Sequence, residues 1–250
     1  SSCRELQFIG GEPTTHPDLG YLIAEAKRLG LMSVEVFTNA TRLDTQLINC
    51  FRDHNVAVAS SFYSDDPETH ARITGNKRSW NRTVNGLKAA VAAGLPVRVG
   101  VIEMNENAGQ LERTTSFLRS LGVDNVKADR VRGVGRGRLY SLGTSVDEFD
   151  GLCGQCWKGR LCVTPSGMAY PCVFSRAFPL GDARDGLDRI LSSAALMDFR
   201  RRFRESRKLN QSGGAALKCS PDEDDCAPKF CNPDSGSCNP NEPSECGPDK

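Results

Sequence analysis

Three things are scarce in this sequence: net charge, long apolar runs and, before residue 153, cysteine. The net charge of the 250 residues is +1, so whole-chain electrostatics mark neither a nucleic-acid coat nor a membrane-surface protein. No stretch approaches the roughly 20 apolar residues that a membrane span needs. No charged-then-apolar leader is present, so nothing signals secretion, and a cytoplasmic protein with no nucleic-acid or membrane partner is expected. The chain opens Ser1-Ser2-Cys3 without a Met and runs at once into a strand-like segment, which predicts a cut piece of a longer protein.

Cysteine is abundant where it does occur. Of eleven cysteines, only Cys3 and Cys50 precede Leu152. A secreted disulfide protein is usually small and Cys-dense throughout. A Cys-poor body followed by a Cys-dense end fits metal or cluster ligation in a reducing compartment better. Residues 211–250 hold almost no aliphatic side chains and many Pro, Asn, Asp and Gly. Such a segment cannot bury enough apolar surface to fold unaided. Its cysteines, Cys219, Cys226 and Cys231 among them, order it through a metal, a cluster or disulfides, or it stays disordered.

A hydrophobic fraction of 38% is enough for one sizeable core and a smaller module. Over the first 130 residues, strand-like and helix-like patterns alternate. Strands are predicted over residues 5–9, 34–38, 56–61, 97–102 and 126–131, and helices over 19–29, 44–52, 80–93 and 110–121. Short apolar strands joined by crossover helices mean a parallel sheet, an α/β fold with its chemistry at the strand C-terminal ends. Periodicity leaves open whether the sheet is flat or curled into a partial barrel. The Gly/Arg-rich stretch 132–138 reads as a linker. Residues 161–170 alternate around Pro165-Ser166-Gly167 and predict a β-hairpin. Residues 187–209 predict one amphipathic helix with a basic end, a solvated face that suits a helix C-terminus. Three regions follow: 1–138, 139–210 and 211–250.

The first chemical signal is the strand that leads into Gly10-Gly11-Glu12-Pro13-Thr14-Thr15-His16-Pro17. Two glycines at a strand end permit positive φ and close approach by a ligand. Glu12 adds a carboxylate suited to an ammonium group. Together they can recognise the amino-acid end of a small molecule; the plain alternative is a tight strand-to-helix turn.

The order of these residues resembles the second strand of radical S-adenosylmethionine (SAM) enzymes. That resemblance assigns Gly10, Gly11 and Glu12 to the amino group of SAM. It extends over about 130 residues: Thr38-Asn39-Ala40 stands where the family often has Thr-Asn-Gly, and Ser60-Ser61 ends the next strand. His70 to Gly75 resembles a His-containing turn of many members, and Val101 to Asn105 the strand beside the adenine. Asn39 and Ser60 are the residues expected near the nucleoside. The implied fold is a partial (β/α)6 barrel. The family's three-Cys motif, which holds the SAM-cleaving [4Fe–4S] cluster, would precede Gly10, where only Cys3 stands. The barrel is therefore read as lacking its first βα unit, with the cluster ligands upstream of this chain, and the 250-residue piece is expected to be inactive alone.

The second signal is Cys153-Gly154-Gln155-Cys156, followed by Cys162 and, across the hairpin, Pro171-Cys172. A C-x-x-C pair lets two thiolates converge on one iron or zinc. By spacing alone a zinc ribbon and an iron–sulfur site are equal. Cys162 sits mid-strand, where a buried small apolar role is as good. The segment resembles the auxiliary-cluster extension called SPASM or its shorter twitch form, a small Cys-rich hairpin and helix. The resemblance implies Cys172 with Cys153, Cys156 or both as ligands of one auxiliary iron–sulfur cluster; Cys219, Cys226 and Cys231 depart from the usual tail spacing.

The resemblance implies reductive cleavage of SAM to a 5′-deoxyadenosyl radical that takes a substrate hydrogen, with an external electron donor. A ribosomally made peptide or protein is the implied substrate. The sequence assigns no catalytic side chain. A zinc-ribbon binding protein and a non-catalytic scaffold are the alternatives.

Overall fold

The computed structural model describes residues 3–132, 137, 149, 152 and 159–212, with side chains up to residue 206. The chain divides into two compact units, Ser1–Thr144 and Ser145–Lys250.

The first unit carries β1 (Glu5–Phe8), α1 (Leu19–Arg28), β2 (Ser33–Phe37), α2 (Thr45–Asp53), β3 (Val56–Phe62), α3 (Pro67–Thr74), α4 (Ser79–Ala92), β4 (Val97–Glu103), α5 (Leu111–Ser120) and β5 (Asn125–Arg130). All neighbouring strands are parallel, and their spatial order is their sequence order. Right-handed crossovers that always step the same way put every helix on one face of the sheet. A doubly wound sheet would reverse direction at a switch point; this one does not. The topology thus decides for the singly wound, barrel-type arrangement that periodicity had left open.

The two faces differ in composition for that reason. Val34, Val36, Val56, Val58, Val99, Val101 and Val126 turn to the helices and are buried with Ile23, Phe51, Leu87 and Leu118. Burying each large side chain contributes about 1.5–3 kcal/mol. By alternation, Gln7, Glu35, Ala57, Ser61, Arg98 and Gly100 take the opposite face. There Arg98 Nε and Nη2 donate to Glu35 at 2.7 and 3.0 Å, and Gln7 Nε2 donates to the same carboxylate. The pair reaches across β3, whose residue opposite Glu35 is the small Ala57.

Helix α3 is absent from the pattern-based reading. Asp66 caps it by accepting the Thr69 amide at 2.8 Å, Pro67 opens it and Gly75 (φ 69°) ends it. It buries Thr69 and His70 instead of an aliphatic stripe, so hydrophobic periodicity could not reveal it.

The second unit holds a three-stranded antiparallel sheet: β6 (Cys162–Val163), β7 (Met168–Tyr170) and β8 (Gly181–Asp182). The hairpin turns at Gly167 (φ 87°), where a Cβ would lie 2.8 Å from Arg184 Nε and Asp182 Oδ1. The single helix expected over 187–209 is two, α6 (Leu187–Leu191) and α7 (Ala194–Ser212). Ser193 divides them: its Oγ accepts the Leu196 amide at 3.2 Å and starts a new helix.

Candidate functional site

The C-terminal ends of parallel strands point their chain exits to one edge of the sheet, and the distinctive residues of the first unit lie there. At the end of β1, Gly10 and Gly11 have φ of 99° and 53°, a region that L side chains rarely adopt. Nothing lies within 4 Å of where a Cβ would stand on either, so this backbone is open to a ligand. Among the described residues, no hydrogen bond uses either glycine's carbonyl.

Glu12 joins two strand exits. Its Oε1 accepts Thr14 N at 3.2 Å, Thr14 Oγ1 at 2.7 Å and Thr38 Oγ1 at 2.5 Å; its Oε2 accepts Asn39 N at 2.7 Å. Three donors fill Oε1, whereas Oε2 takes one and keeps a second lone pair. The carboxylate thus ties the exit of β1 to the exit of β2. Oε2 and the main-chain carbonyls of the glycines are the acceptors left for an ammonium group.

Asn39 is exposed at the exit of β2. Its Oδ1 accepts Thr41 N and Oγ1 at 2.9 and 2.7 Å, and its carbonyl accepts Thr83 Oγ1 from α4 at 2.8 Å. Among the described residues nothing accepts from its Nδ2, which remains for a ligand. The next residue, Ala40, sits at φ 58°, the conformation that favours glycine. A Cβ on Gly86 of α4 would overlap the Ala40 carbonyl oxygen, so helix and turn are in close contact.

Ser60 is placed otherwise than expected. It shares parity with Val56, Val58 and Phe62 on the helix-facing side, is 1% exposed, and its Oγ reaches only the Ser61 carbonyl at 3.4 Å. Ser61 takes the other face and is the half-buried hydroxyl available near the strand exits. Strand alternation alone, 56-58-60-62, carried that signal in the sequence.

The exit of β3 is held from several sides. Asn107 Nδ2 donates to the Tyr63 carbonyl at 2.5 Å, Ser64 Oγ donates to Gln110 Oε1 at 2.5 Å, and Trp80 Nε1 donates to the Ser64 carbonyl at 3.2 Å. Asp65 receives Arg113 Nε and Thr114 Oγ1 from α5.

In the second unit, Cys172 leaves the hairpin after Pro171 and packs, with Phe174 and Phe178, against Phe149, Leu152, Phe199 and Phe203. Its amide donates to Ser175 Oγ at 2.7 Å. Cys162 pairs with Tyr170 across the hairpin, and the Arg176 guanidinium lies 5.0 Å from the Tyr170 ring centre. Burial pushes the Cys162 thiol up, Arg176 opposes that, and the neighbouring Cys172 thiolate adds to it. Cys172 follows Tyr170, the partner of Cys162, by two residues, which puts both cysteines toward one end of the hairpin, and thiolates suit iron or zinc. Cys153, Cys156, Cys219, Cys226 and Cys231 lie outside the described residues. Among the described residues no three metal-binding side chains converge. Ahead of Gly10 the one cysteine is Cys3, whose Sγ donates to the Glu5 carbonyl at 3.3 Å. The described residues thus do not furnish a SAM-cleaving cluster.

Residues 1–118 match the family model of the radical SAM superfamily. The chain belongs to that superfamily. Residues 153–220 match the SPASM model, an iron–sulfur cluster-binding domain. SAM and iron–sulfur clusters are the cofactors that these two families carry. The PqqA peptide cyclase of Streptomyces rochei is 25% identical over 228 residues, covering 75% of this chain and 61% of the relative. A probable GTP 3′,8-cyclase of Sulfurisphaera tokodaii is 30% identical over 136 residues, 54% of this chain and 43% of the relative. The chain therefore spans about half the length of the curated relatives it matches. Among solved structures, Streptococcus suis SuiB superposes with a TM-score of 0.62 at 13% identity, over 79% of this chain and 57% of SuiB. The AdoMet-bound anSMEcpe superposes with a TM-score of 0.59 at 15% identity, over 78% of this chain and 65% of that one. Likeness at that identity bears out the partial-barrel radical SAM fold. No described helix of this superfamily member is long and apolar enough to cross a membrane.

Proposed function

We propose that this chain belongs to a radical SAM enzyme that modifies a ribosomally made peptide or protein in a reducing, cytoplasmic setting. The observation that carries the reading is the open Gly10-Gly11 exit beside an exposed Asn39, in a chain that also carries a SPASM region. The glycine carbonyls would accept the ligand's ammonium, and Glu12 would hold the two strand exits in register. Asn39 Nδ2 and Ser61 would reach the ribose or carboxylate. When bound and reductively cleaved, SAM supplies a radical able to take a hydrogen atom from substrate; the protein's part is to orient it and exclude water. Cys172, with Cys153 or Cys156, would ligate one auxiliary cluster, whose donor chemistry fits the half-buried thiols at the hairpin end. An external electron donor would supply the reducing electron.

A peptide substrate is favoured over a nucleotide by where the relatives align. The peptide cyclase matches 75% of the chain, whereas the probable GTP cyclase matches 54% of it. Two measurements test the proposal. S-Adenosylhomocysteine titrated into the chain should bind with a stoichiometry of about one, as a single strand-end site requires, and Gly11→Val should abolish binding. Mass spectrometry of a peptide co-expressed with the natural full-length protein should show a mass change. Absence of binding by the wild-type chain would overturn the assignment of the site.

A further inference from the structure

A second side chain works at the exit edge in the way that Glu12 does. Asn107, 4% exposed, closes the 3-10 turn Asn105–Asn107 between β4 and α5. Its Oδ1 accepts the Met104 amide at 2.7 Å, and its Nδ2 donates to the Ile102 carbonyl at 2.8 Å; both bonds are local. The same Nδ2 also reaches 44 positions back, to the Tyr63 carbonyl at 2.5 Å. The partners fix which end of the amide is nitrogen, because two carbonyls only accept and a main-chain N–H only donates. Both amide protons and one lone pair are used, so this buried side chain carries no unmatched donor.

The place of these bonds matters more than their number. Backbone pairing between β3 and β4 ends at Phe62 opposite Val101. Tyr63 and Met104 are the first residues beyond the two strands, so Asn107 joins their exits just past the last rung. Glu12 does the same for β1 and β2. A turn cap alone would be met by aspartate, which can accept from Met104 but would set a carboxylate against two carbonyls. Leucine would fill the space and leave two carbonyls and an amide unmatched, and glutamine would add a methylene at a buried position. The span to Tyr63 is therefore what calls for asparagine. A long ligand whose ammonium meets the glycine carbonyls at β1 runs, in the order of the described strands, past β2 towards β3 and β4. The clasp lies at that far end, two residues after Ser61.

We infer that Asn107 is a positioning residue for the nucleoside half of the ligand: its amide holds the exits of β3 and β4 at one spacing, and thereby the backbone that presents Ser61. The ligand half of this inference rests on the proposal that SAM occupies the strand exits; the clasp itself does not.

Two variants of the full chain test it. Asn107→Leu keeps the volume and removes all three bonds; Asn107→Asp keeps the acceptor for Met104 and removes both donors. Amide hydrogen exchange at Met104 reads the local turn. Titrations with S-adenosylhomocysteine and with 5′-methylthioadenosine, which has the nucleoside but no amino-acid end, read the site. One hydrogen bond is worth about a factor of two to ten. The Met104 amide should exchange about that much faster in Asn107→Leu and near the wild-type rate in Asn107→Asp. Both variants should bind both probes more weakly, by at least that factor and to the same extent for the two probes. If Asn107→Leu does not fold, Asn107→Asp and the Met104 amide of the ligand-free wild type still decide, since an unprotected amide there overturns the clasp. Wild-type affinity in Asn107→Asp overturns the positioning role, whatever that variant's stability in urea. Weaker S-adenosylhomocysteine binding with unchanged 5′-methylthioadenosine binding overturns the assignment to the nucleoside half. A wild-type chain that binds neither probe overturns the SAM site and leaves Met104 to judge the clasp, which falls if exchange is unchanged in Asn107→Leu.

Discussion

The Glu12 carboxylate accepts the Asn39 main-chain amide at 2.7 Å, and this bond joins the exits of β1 and β2. Three further donors, from Thr14 and Thr38, meet its other oxygen. Replacing one oxygen by an NH2 group turns an acceptor toward a donor, and a buried donor left unmatched costs about 1–3 kcal/mol. Glu12→Gln should lower the free energy of unfolding by that amount in urea titrations and weaken S-adenosylhomocysteine binding as the glycine carbonyls lose their register. Wild-type stability and affinity together in this variant would show that the carboxylate does not hold the two exits.

The contact between α4 and the Asn39-Ala40 turn sets two known effects against each other. In a helix interior, Gly→Ala stabilises by about 1 kcal/mol. At Gly86 the added methyl would overlap the Ala40 carbonyl, a backbone atom that cannot swing away. Overpacking of a fixed neighbour costs about 1–3 kcal/mol or more, so the clash wins. Gly86→Ala should therefore lower stability, while Gly→Ala at the uncrowded Gly20 of α1, whose nearest neighbour is the Cys50 sulfur at 3.6 Å, should not. Thermal melts of the two variants provide the comparison.

Much of this was open to reading from the residues alone. Gly10-Gly11 and the Asn39-Ala40 turn announced themselves because positive backbone φ restricts residue type there, and the strands carried clear Val-rich periodicity. Ser60 was expected near the nucleoside but turns to the helices while Ser61 takes the opposite face, and the alternation of Val56, Val58 and Phe62 already settled the side. The role of Glu12 could not be read, because its partners Thr38 and Asn39 lie 26 and 27 residues away and are joined to it only by strand pairing. Helix α3 escaped for a related reason: a helix that buries Thr and His leaves no apolar stripe. The division of the basic helix at Ser193 depended on a capping bond that composition does not distinguish from an exposed serine.

Burial holds the His70 imidazole neutral, with its pKa lowered from 6.5 to about 4, against a smaller raising effect of the Ser64 backbone. Between those values the unfolded chain binds a proton that the folded chain does not. Stability from this group is thus fully present above pH 6.5 and is lost as the pH falls toward 4. Asp66, whose carboxyl is lowered by its bonds from Thr69, acts in the same direction at lower pH and is common to both proteins compared. From pH 7.5 to 4.5 the wild type should lose on the order of 2 kcal/mol more than His70→Phe. Urea denaturation at the two pH values measures the difference; equal losses would mean that His70 is protonated in the folded state.

Cys172 and Cys50 make opposite predictions for metal content from similar exposure. Both are half-buried. Burial raises the Cys50 thiol, and the nearby Asp53 carboxylate raises it further, which disfavours the thiolate that binds metal. Cys50 also lies on α2, packed against the core of the first unit. Cys172 leaves a hairpin whose other strand carries Cys162 opposite Tyr170, and the Arg176 guanidinium lies over the Tyr170 ring. Aromatic packing from Phe174, Phe178 and Phe199 excludes water from one side of it, and a dry surround with a nearby cation is how proteins commonly shape thiolate-bound clusters. After anaerobic reconstitution, Cys172→Ala should lower iron and sulfide per chain by roughly half or more, with loss of the broad thiolate-to-iron absorption, since each cluster needs its full ligand set. Cys50→Ala should leave both unchanged. Zinc in place of iron in the wild-type chain, with no sulfide, would assign the hairpin to a zinc ribbon and remove the auxiliary cluster from the account.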